Sequence, residues 1–243
     1  MATSTRPDLE HHPILPHDAW MAARTALLAK EKAFSRLRDE LSRERRALPW
    51  ERVDKDYAFD GPGGTVTLAD LFGPRHQLVI YHFMFHPDAD AGCKHCSFWA
   101  DNFNPIVVHL RARDVSFAAV SRAPIDRIER FRRRMDWGFT WVSSGRNEFN
   151  YDYMVSFRPE QFKRGDAVYN YAPMDMEHED REGVSVFYRA GDGTIYHTYS
   201  TYARGIDPLN TAYSYLDLVP KGRDEDELEF TQSWVRYHDG YAE

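Results

Sequence analysis

From His17 to about Ala47 the apolar positions are sparse but regular. Trp20, Leu27, Phe34, Leu41 and Leu48 recur every seven residues in an otherwise charged run. This spacing predicts one long helix carrying an apolar stripe, with Asp18 as N-cap and Pro49 beyond its end. Leu37 fits a second heptad row, whereas Lys30 and Glu44 break it, so the pattern falls short of a sustained coiled coil. The stripe is expected to pack on the chain's own domain or on a second copy, as a homodimer through the amino-terminal arm.

The rhythm then shortens. Tyr57 to Asp60, the turn Gly61-Pro62-Gly63-Gly64 and Thr65 to Thr67 read as a hairpin, followed by a helical turn over Leu68 to Phe72. Gln77 to Phe85 is a near-continuous apolar run of the kind that fills a sheet centre. After the irregular stretch His86 to Gly92, a helix is expected to open at Cys93 and run toward Arg113, interrupted near Pro105. Val115 to Ser121 predicts a second buried strand. Pro124 to Trp137 predicts an amphipathic helix with Ile125, Ile128, Phe131 and Met135 on one face. Strand, helix, strand and helix at this spacing imply a right-handed parallel crossover. Val184 to Ala190 and Thr194 to Thr201 flank Gly191-Asp192-Gly193, a hairpin signal, and Pro208 to Leu218 reads as a closing helix. The expected fold is an α/β, thioredoxin-like three-layer α/β/α sandwich with a mixed sheet and an N-terminal helical arm. Residues 1–48 form the arm, whose first dozen residues are expected to lack order; 49–220 form the domain, and 221–243 a loosely held acidic tail.

Composition narrows the classes. A hydrophobic fraction of 42% suffices for a substantial core, and a net charge of −7 argues against nucleic-acid binding. The basic run Arg130 to Arg134 reads as a solvated helix face. No stretch has the length of a signal peptide or a membrane span, so a cytoplasmic location is expected, where a permanent structural disulfide is not. No phosphate loop or dinucleotide fingerprint is present.

The chain has only two cysteines, placed as Cys93-Lys94-His95-Cys96. This spacing serves thiol–disulfide exchange or metal ligation. At a helix start, Cys93 meets unpaired backbone N–H groups and the positive end of the dipole, with Lys94 and His95 adding charge. Cys93 is therefore the expected nucleophile and Cys96, one turn in, the resolving thiol. Gly92 permits close approach just ahead, and Trp99 is read as core that could shield the pair. The competing reading is zinc or copper held by His86, Cys93, His95 and Cys96, since soft thiolates suit these metals.

Beyond the cysteines, GCKHCSFWADNFN, VSRAP, WGFTWVSS, FNYDY and HTYSTYARGIDPLNTAYSYLDLVPKGRDE resemble the domain-of-unknown-function 899 family of bacterial thioredoxin-like proteins, over nearly the whole chain. The resemblance implies a dithiol–disulfide oxidoreductase that needs no cofactor and works with an external thiol/disulfide partner or a small-molecule substrate.

Two departures matter. Thioredoxin-like enzymes carry a proline before the first hairpin strand, but Glu182-Gly183-Val184 has none, which puts peptide-type docking in question. A peroxide-reducing alternative resembles PxxxTxxC, yet Pro87 lies six residues before Cys93 and Asp90 takes the threonine slot; Arg122 remains a candidate to approach the thiolate. A substrate pocket lined by Tyr199, Tyr202 and Arg204 is a further expectation, with strand alternation placing His197, Tyr199 and Thr201 on one face.

Overall fold

The computed structural model describes residues 9–174 and 178–241. Its elements, in chain order, begin with α1 (His17–Ala47), β1 (Glu51–Arg52), β2 (Ala58–Gly61), β3 (Gly64–Thr67), α2 (Leu68–Leu71) and β4 (Gln77–His82). They continue with α3 (Lys94–Ala100), α4 (Phe103–Arg111), β5 (Val115–Ser121), α5 (Ile125–Arg134), β6 (Thr140–Ser143), α6 (Phe149–Asp152) and α7 (Pro159–Arg164). The last are β7 (Val168–Tyr169), β8 (Ala172–Pro173), β9 (Gly183–Arg189), β10 (Ile195–Tyr202) and α8 (Thr211–Leu216).

One eight-stranded sheet has the order β1-β10-β9-β4-β5-β6-β2-β3. Strands β4, β5 and β6 are parallel, whereas β9 joins β4 and β10 joins β9 antiparallel. The run β10-β9-β4-β5, with a helical crossover after β4, is the thioredoxin-like arrangement, so the fold is α/β and thioredoxin-like. Alternation along β4 and its extension divides the core. Tyr81, Phe83 and Phe85 pack with Cys96, Trp99, Phe131 and Trp141 on one face. Leu78 and Ile80 pack with Phe59, Phe72, Phe149 and Phe187 on the other.

Several boundaries move for identifiable reasons. The α1 bounds agree with the pattern, but Pro16 is the N-cap and Asp18 lies in the first turn. The helix after Cys93 divides at Asp101–Asn102, where Asn102 Nδ2 donates to the Phe98 and Trp99 carbonyls. Pro105 then sits in the first turn of α4, where its missing N–H costs nothing. The expected closing helix becomes a 3-10 turn over Ala203–Leu209 followed by α8, whose start is capped by the Asn210 side chain accepting from Tyr213 N–H at 3.1 Å. The expectation of disorder falls partly on residues 1–8, outside the described residues. Among the described residues no helix is long and apolar enough to cross a membrane.

The carboxyl-terminal segment overturns the expectation of a loose tail. Val235 is fully buried, and Trp234 and Tyr237 pack on the α3–α5 face of the core. Glu225 Oε1 accepts from the Tyr213 hydroxyl, the Gln232 N–H and the Trp234 indole. Arg134 grips Asp239 through two hydrogen bonds. Aromatic burial, which outweighs the segment's charge, holds it in place.

His82 ends β4 inside the sheet, stacked near Phe149 and Tyr153, with Nε2 2.8 Å from the Ser185 hydroxyl. Burial pushes its pKa from 6.5 down to about 3. The unfolded chain therefore takes up a proton near its ordinary value while the fold does not. Stability is complete above about pH 6.5 and falls by about 1.4 kcal/mol per pH unit toward pH 3. Denaturant unfolding at stepped pH measures this slope. The His82→Asn variant is expected to be less stable at neutral pH but to have a flatter profile; an unchanged slope would assign the acid sensitivity to other groups.

Candidate active site

Chain reversal after β4 builds the site. The Cys93 N–H donates to the Met84 carbonyl at 2.9 Å, and the Met84 N–H points at Cys96 Sγ at 3.4 Å. Gly92 makes this turn possible: a Cβ there would stand 2.6 Å from Phe83 and 2.8 Å from Phe131. Cys93 is the N-cap of α3, and its carbonyl accepts from both the N–H and the hydroxyl of Ser97, each at 2.9 Å. Both cysteines are free thiols; Cys93 is partly exposed, whereas Cys96 is buried.

The two sulfurs are driven apart electrostatically. The Cys96 thiol, donating to the Cys93 sulfur, holds Cys93 well below the ordinary thiol range; His95 and the Cys96 backbone N–H act the same way, while burial opposes them. Cys96 is pushed well above that range, first by burial and then by its neighbour Cys93. One thiolate and one protected thiol in contact form the charge state that disulfide exchange requires.

The other sequence-derived residues divide. His95 stays beside Cys93. Lys94 turns away, its Nζ donating to the Ser233 carbonyl at 3.4 Å, and so ties α3 to the carboxyl-terminal segment. Trp99 is core, with its indole N–H donating to the Ile206 carbonyl at 3.0 Å. His86 is drawn off: Nε2 lies 2.7 Å from Glu179 Oε2, and Nδ1 accepts from the Asp88 N–H. Arg122 does not approach the thiolate either. Its guanidinium grips Asp180 at 2.7 and 3.0 Å and reaches the Tyr151 hydroxyl, with both charged partners nearly buried. Among the described residues no three His, Cys, Asp or Glu side chains are gathered to hold a metal ion.

The expected Tyr199–Tyr202–Arg204 pocket does not assemble. A register shift between His197 and Tyr199 breaks the alternation of β10, leaving His197 Nε2 2.7 Å from the Ser200 hydroxyl. Tyr199 lies under the Arg45 guanidinium, whereas Tyr202 is core and donates to the Tyr153 carbonyl at 3.0 Å. Only Arg204 reaches the cysteines' neighbourhood. It lines a cavity of about 290 Å³ together with Cys96, His95, Tyr81, Arg181 and Glu182, closed on another side by Phe230, Thr231 and Gln232. Sequence reasoning missed Tyr81, Arg181 and the carboxyl-terminal wall. The aromatic spacing of Phe230, Trp234 and Tyr237 was the available signal that this segment docks. Tyr237 fastens the same segment to the cysteine turn, its hydroxyl donating to the Gly92 carbonyl at 2.7 Å.

The pH dependence of alkylation tests this charge state. Cys93 is expected to react with iodoacetamide along a titration centred well below the ordinary thiol value of about 8.5. Cys96→Ala removes the main donor to the Cys93 sulfur and is expected to move the midpoint upward. An unmoved midpoint would show that Cys96 does not hold the thiolate.

A comparison with curated proteins found no significant match. Among solved structures the chain is similar to peroxiredoxin Q of Xanthomonas campestris, at 15% identity over 73% of this chain and 99% of that one, with a TM-score of 0.45. It is also similar to peroxidoxin BcpB of Mycobacterium tuberculosis, at 11% identity over 67% and 93% of the two chains, with a TM-score of 0.44. A Chlorobium tepidum protein assigned as thiol:disulfide interchange protein DsbE aligns at 13% identity over 69% and 94%, with a TM-score of 0.40. The family described as "Bacterial protein of unknown function (DUF899)" matches residues 9–241, and with nearly its whole length covered, the chain belongs to that family.

Proposed function

We propose that this protein is a dithiol–disulfide oxidoreductase in which Cys93 attacks and Cys96 resolves. The observation that carries the reading is the placement of the two free thiols. Cys93 is partly exposed at the N-cap of α3 and Cys96 is buried one turn in, with the first held low in pKa and the second pushed up. The Cys93 thiolate displaces one sulfur of a substrate disulfide as a thiolate and forms a mixed disulfide. That step removes the negative charge on Cys93, one cause of Cys96's high pKa, so Cys96 becomes easier to ionise as it is needed. Cys96 then attacks the Cys93 sulfur and releases the second thiol, so two electrons pass from the protein to the substrate. An external thiol system in a reducing compartment restores the dithiol. Stabilising the Cys93 thiolate favours the reduced form, which makes the protein disulfide comparatively oxidising.

Mass-tagged thiol counting across glutathione buffers, with metal content read from the same sample, tests the reaction. A reversible two-electron transition in metal-free protein is expected, and Cys96→Ser is expected to accumulate the mixed disulfide at Cys93. Thiols that stay reduced at every poise, or that are protected by zinc or copper, would defeat this reading.

The arm calls for a separate reading. Helix α1 has 31 residues and none is buried, although Trp20, Leu27, Phe34, Leu37 and Leu41 are apolar; Phe34 is 65% exposed. Arg45 stacked on Tyr199, and Trp50 on Tyr188 and Tyr196, moor only its carboxyl-terminal end. The arm is assigned as a seam with a second copy, because a stripe of this length gains most of its burial from a partner helix. Analytical ultracentrifugation is expected to show a dimer that becomes monomeric when Leu27, Phe34 and Leu41 are changed to Glu. A monomeric parent protein would remove the seam.

A further inference from the structure

The cavity beside Cys96 has an unusual polar wall. Three of its residues hold buried atoms with no hydrogen-bond partner: the Tyr81 hydroxyl, His95 Nε2 and Arg181 Nε. Tyr81 is 1% exposed, and its hydroxyl neighbours the Cys96 sulfur without meeting hydrogen-bond geometry. Among the described residues no hydrogen bond or ion pair engages the Arg181 guanidinium, which rests against the Tyr169 ring at 5.6 Å. Its neighbours are already committed. Glu182 accepts the Tyr169 hydroxyl through both its carbonyl and its carboxylate. Asp207 is shared by Arg204 and Arg223. An unsatisfied buried donor costs about 1–3 kcal/mol, so the Tyr81 hydroxyl and Arg181 Nε around one cavity mark a place for an acceptor.

We infer that this cavity binds the carboxylate of a low-molecular-weight disulfide substrate, with Arg181 as its charge partner and Tyr81 as a further donor. The inference rests on the dithiol reading above and narrows its substrate class. A planar guanidinium suits a carboxylate in a way a point charge does not. The enclosure sets the size. Arg181 and Glu182 occupy the approach to β9, and Phe230 to Gln232 wall the cavity on another side, leaving a space of about 290 Å³. Tyr237 and Lys94 fasten that segment to Gly92 and to α3. A ligand held at Arg181 is anchored beside Cys96, three residues along α3 from Cys93. The covalent steps are those already given: the carboxylate is held and takes no part in the electron transfer.

The test uses the full chain and two probes with the same linear disulfide: dithiodipropionate, which carries carboxylates, and its diamide, which does not. Stopped-flow oxidation of the dithiol, followed by thiol counting, is expected to run about tenfold faster with dithiodipropionate, the scale of one charge-assisted hydrogen bond. Arg181→Gln is expected to bring the ratio of the two rates close to one. Binding is measured independently of exchange by calorimetry on the Cys93→Ser protein, where dithiodipropionate is expected to bind and the diamide to bind more weakly. Equal rates in the parent protein, with equal binding to Cys93→Ser, would overturn the carboxylate site while leaving the dithiol reading intact. Oxidation by neither probe, with dithiodipropionate still selected by Cys93→Ser, would instead sink the exchange reaction and retain the site. A dithiodipropionate preference that survives Arg181→Gln in a folded protein would overturn the assignment of Arg181.

Discussion

The pairing of β4 with β9 is the constraint on which the site depends. Tyr81 stands opposite Val184 and His82 opposite Gly183, so the chain entering β9 passes over the point where β4 gives way to the cysteine turn. That register brings Arg181 and Glu182 to the cavity beside Cys96. Gly183 is required at the crossing, because a Cβ would stand 2.5 Å from the Tyr202 ring. A one-residue slip would turn every side chain of β9 to the opposite face and dismantle both cores together.

Around this crossing, buried charges are used for position. The Arg122–Asp180 pair, nearly out of water, is joined by the Ser156 hydroxyl at 2.6 Å from Asp180. It anchors the segment leading into β9 against the end of β5. Breaking such a pair leaves an uncompensated charge, so it specifies one geometry strongly even where its net stabilisation is small. His86 with Glu179 extends the same network at the surface. Two groups that a sequence reading assigns to thiol or metal chemistry thus serve the scaffold that presents the thiols.

The carboxyl-terminal segment adds the third side. Its acidic character comes from residues that face solvent or accept hydrogen bonds, whereas Trp234, Val235 and Tyr237 supply the packing. The thioredoxin-like core is left open beside Cys93 and Cys96, and this segment converts that opening into an enclosure of small-molecule size. Access to the buried sulfur is therefore controlled by residues more than 130 positions away in sequence, as Lys94 bonded to Ser233 illustrates.

The sequence by itself determined what short-range physics governs. The bounds of α1, the apolar run of β4, the buried strand β5, the β9–β10 hairpin and the start of a helix at Cys93 follow from periodicity, turn chemistry and helix ends. The attacking role expected of Cys93 follows from the same local geometry. Only the tertiary structure decided which groups surround the thiols. Lys94 and Arg122 carry the right charge for a thiolate, but each is engaged elsewhere, Lys94 by the Ser233 carbonyl and Arg122 by Asp180. Tyr81 lies within a strand and Arg181 within a loop, and neither position announces a site. Tyr199 meets Arg45 and Tyr202 the Tyr153 carbonyl, on opposite faces of a regularly paired stretch of β10. The reason is the same in each case: a long polar side chain chooses among partners brought together by packing, and that choice is made at distances over which the sequence carries no periodic signal.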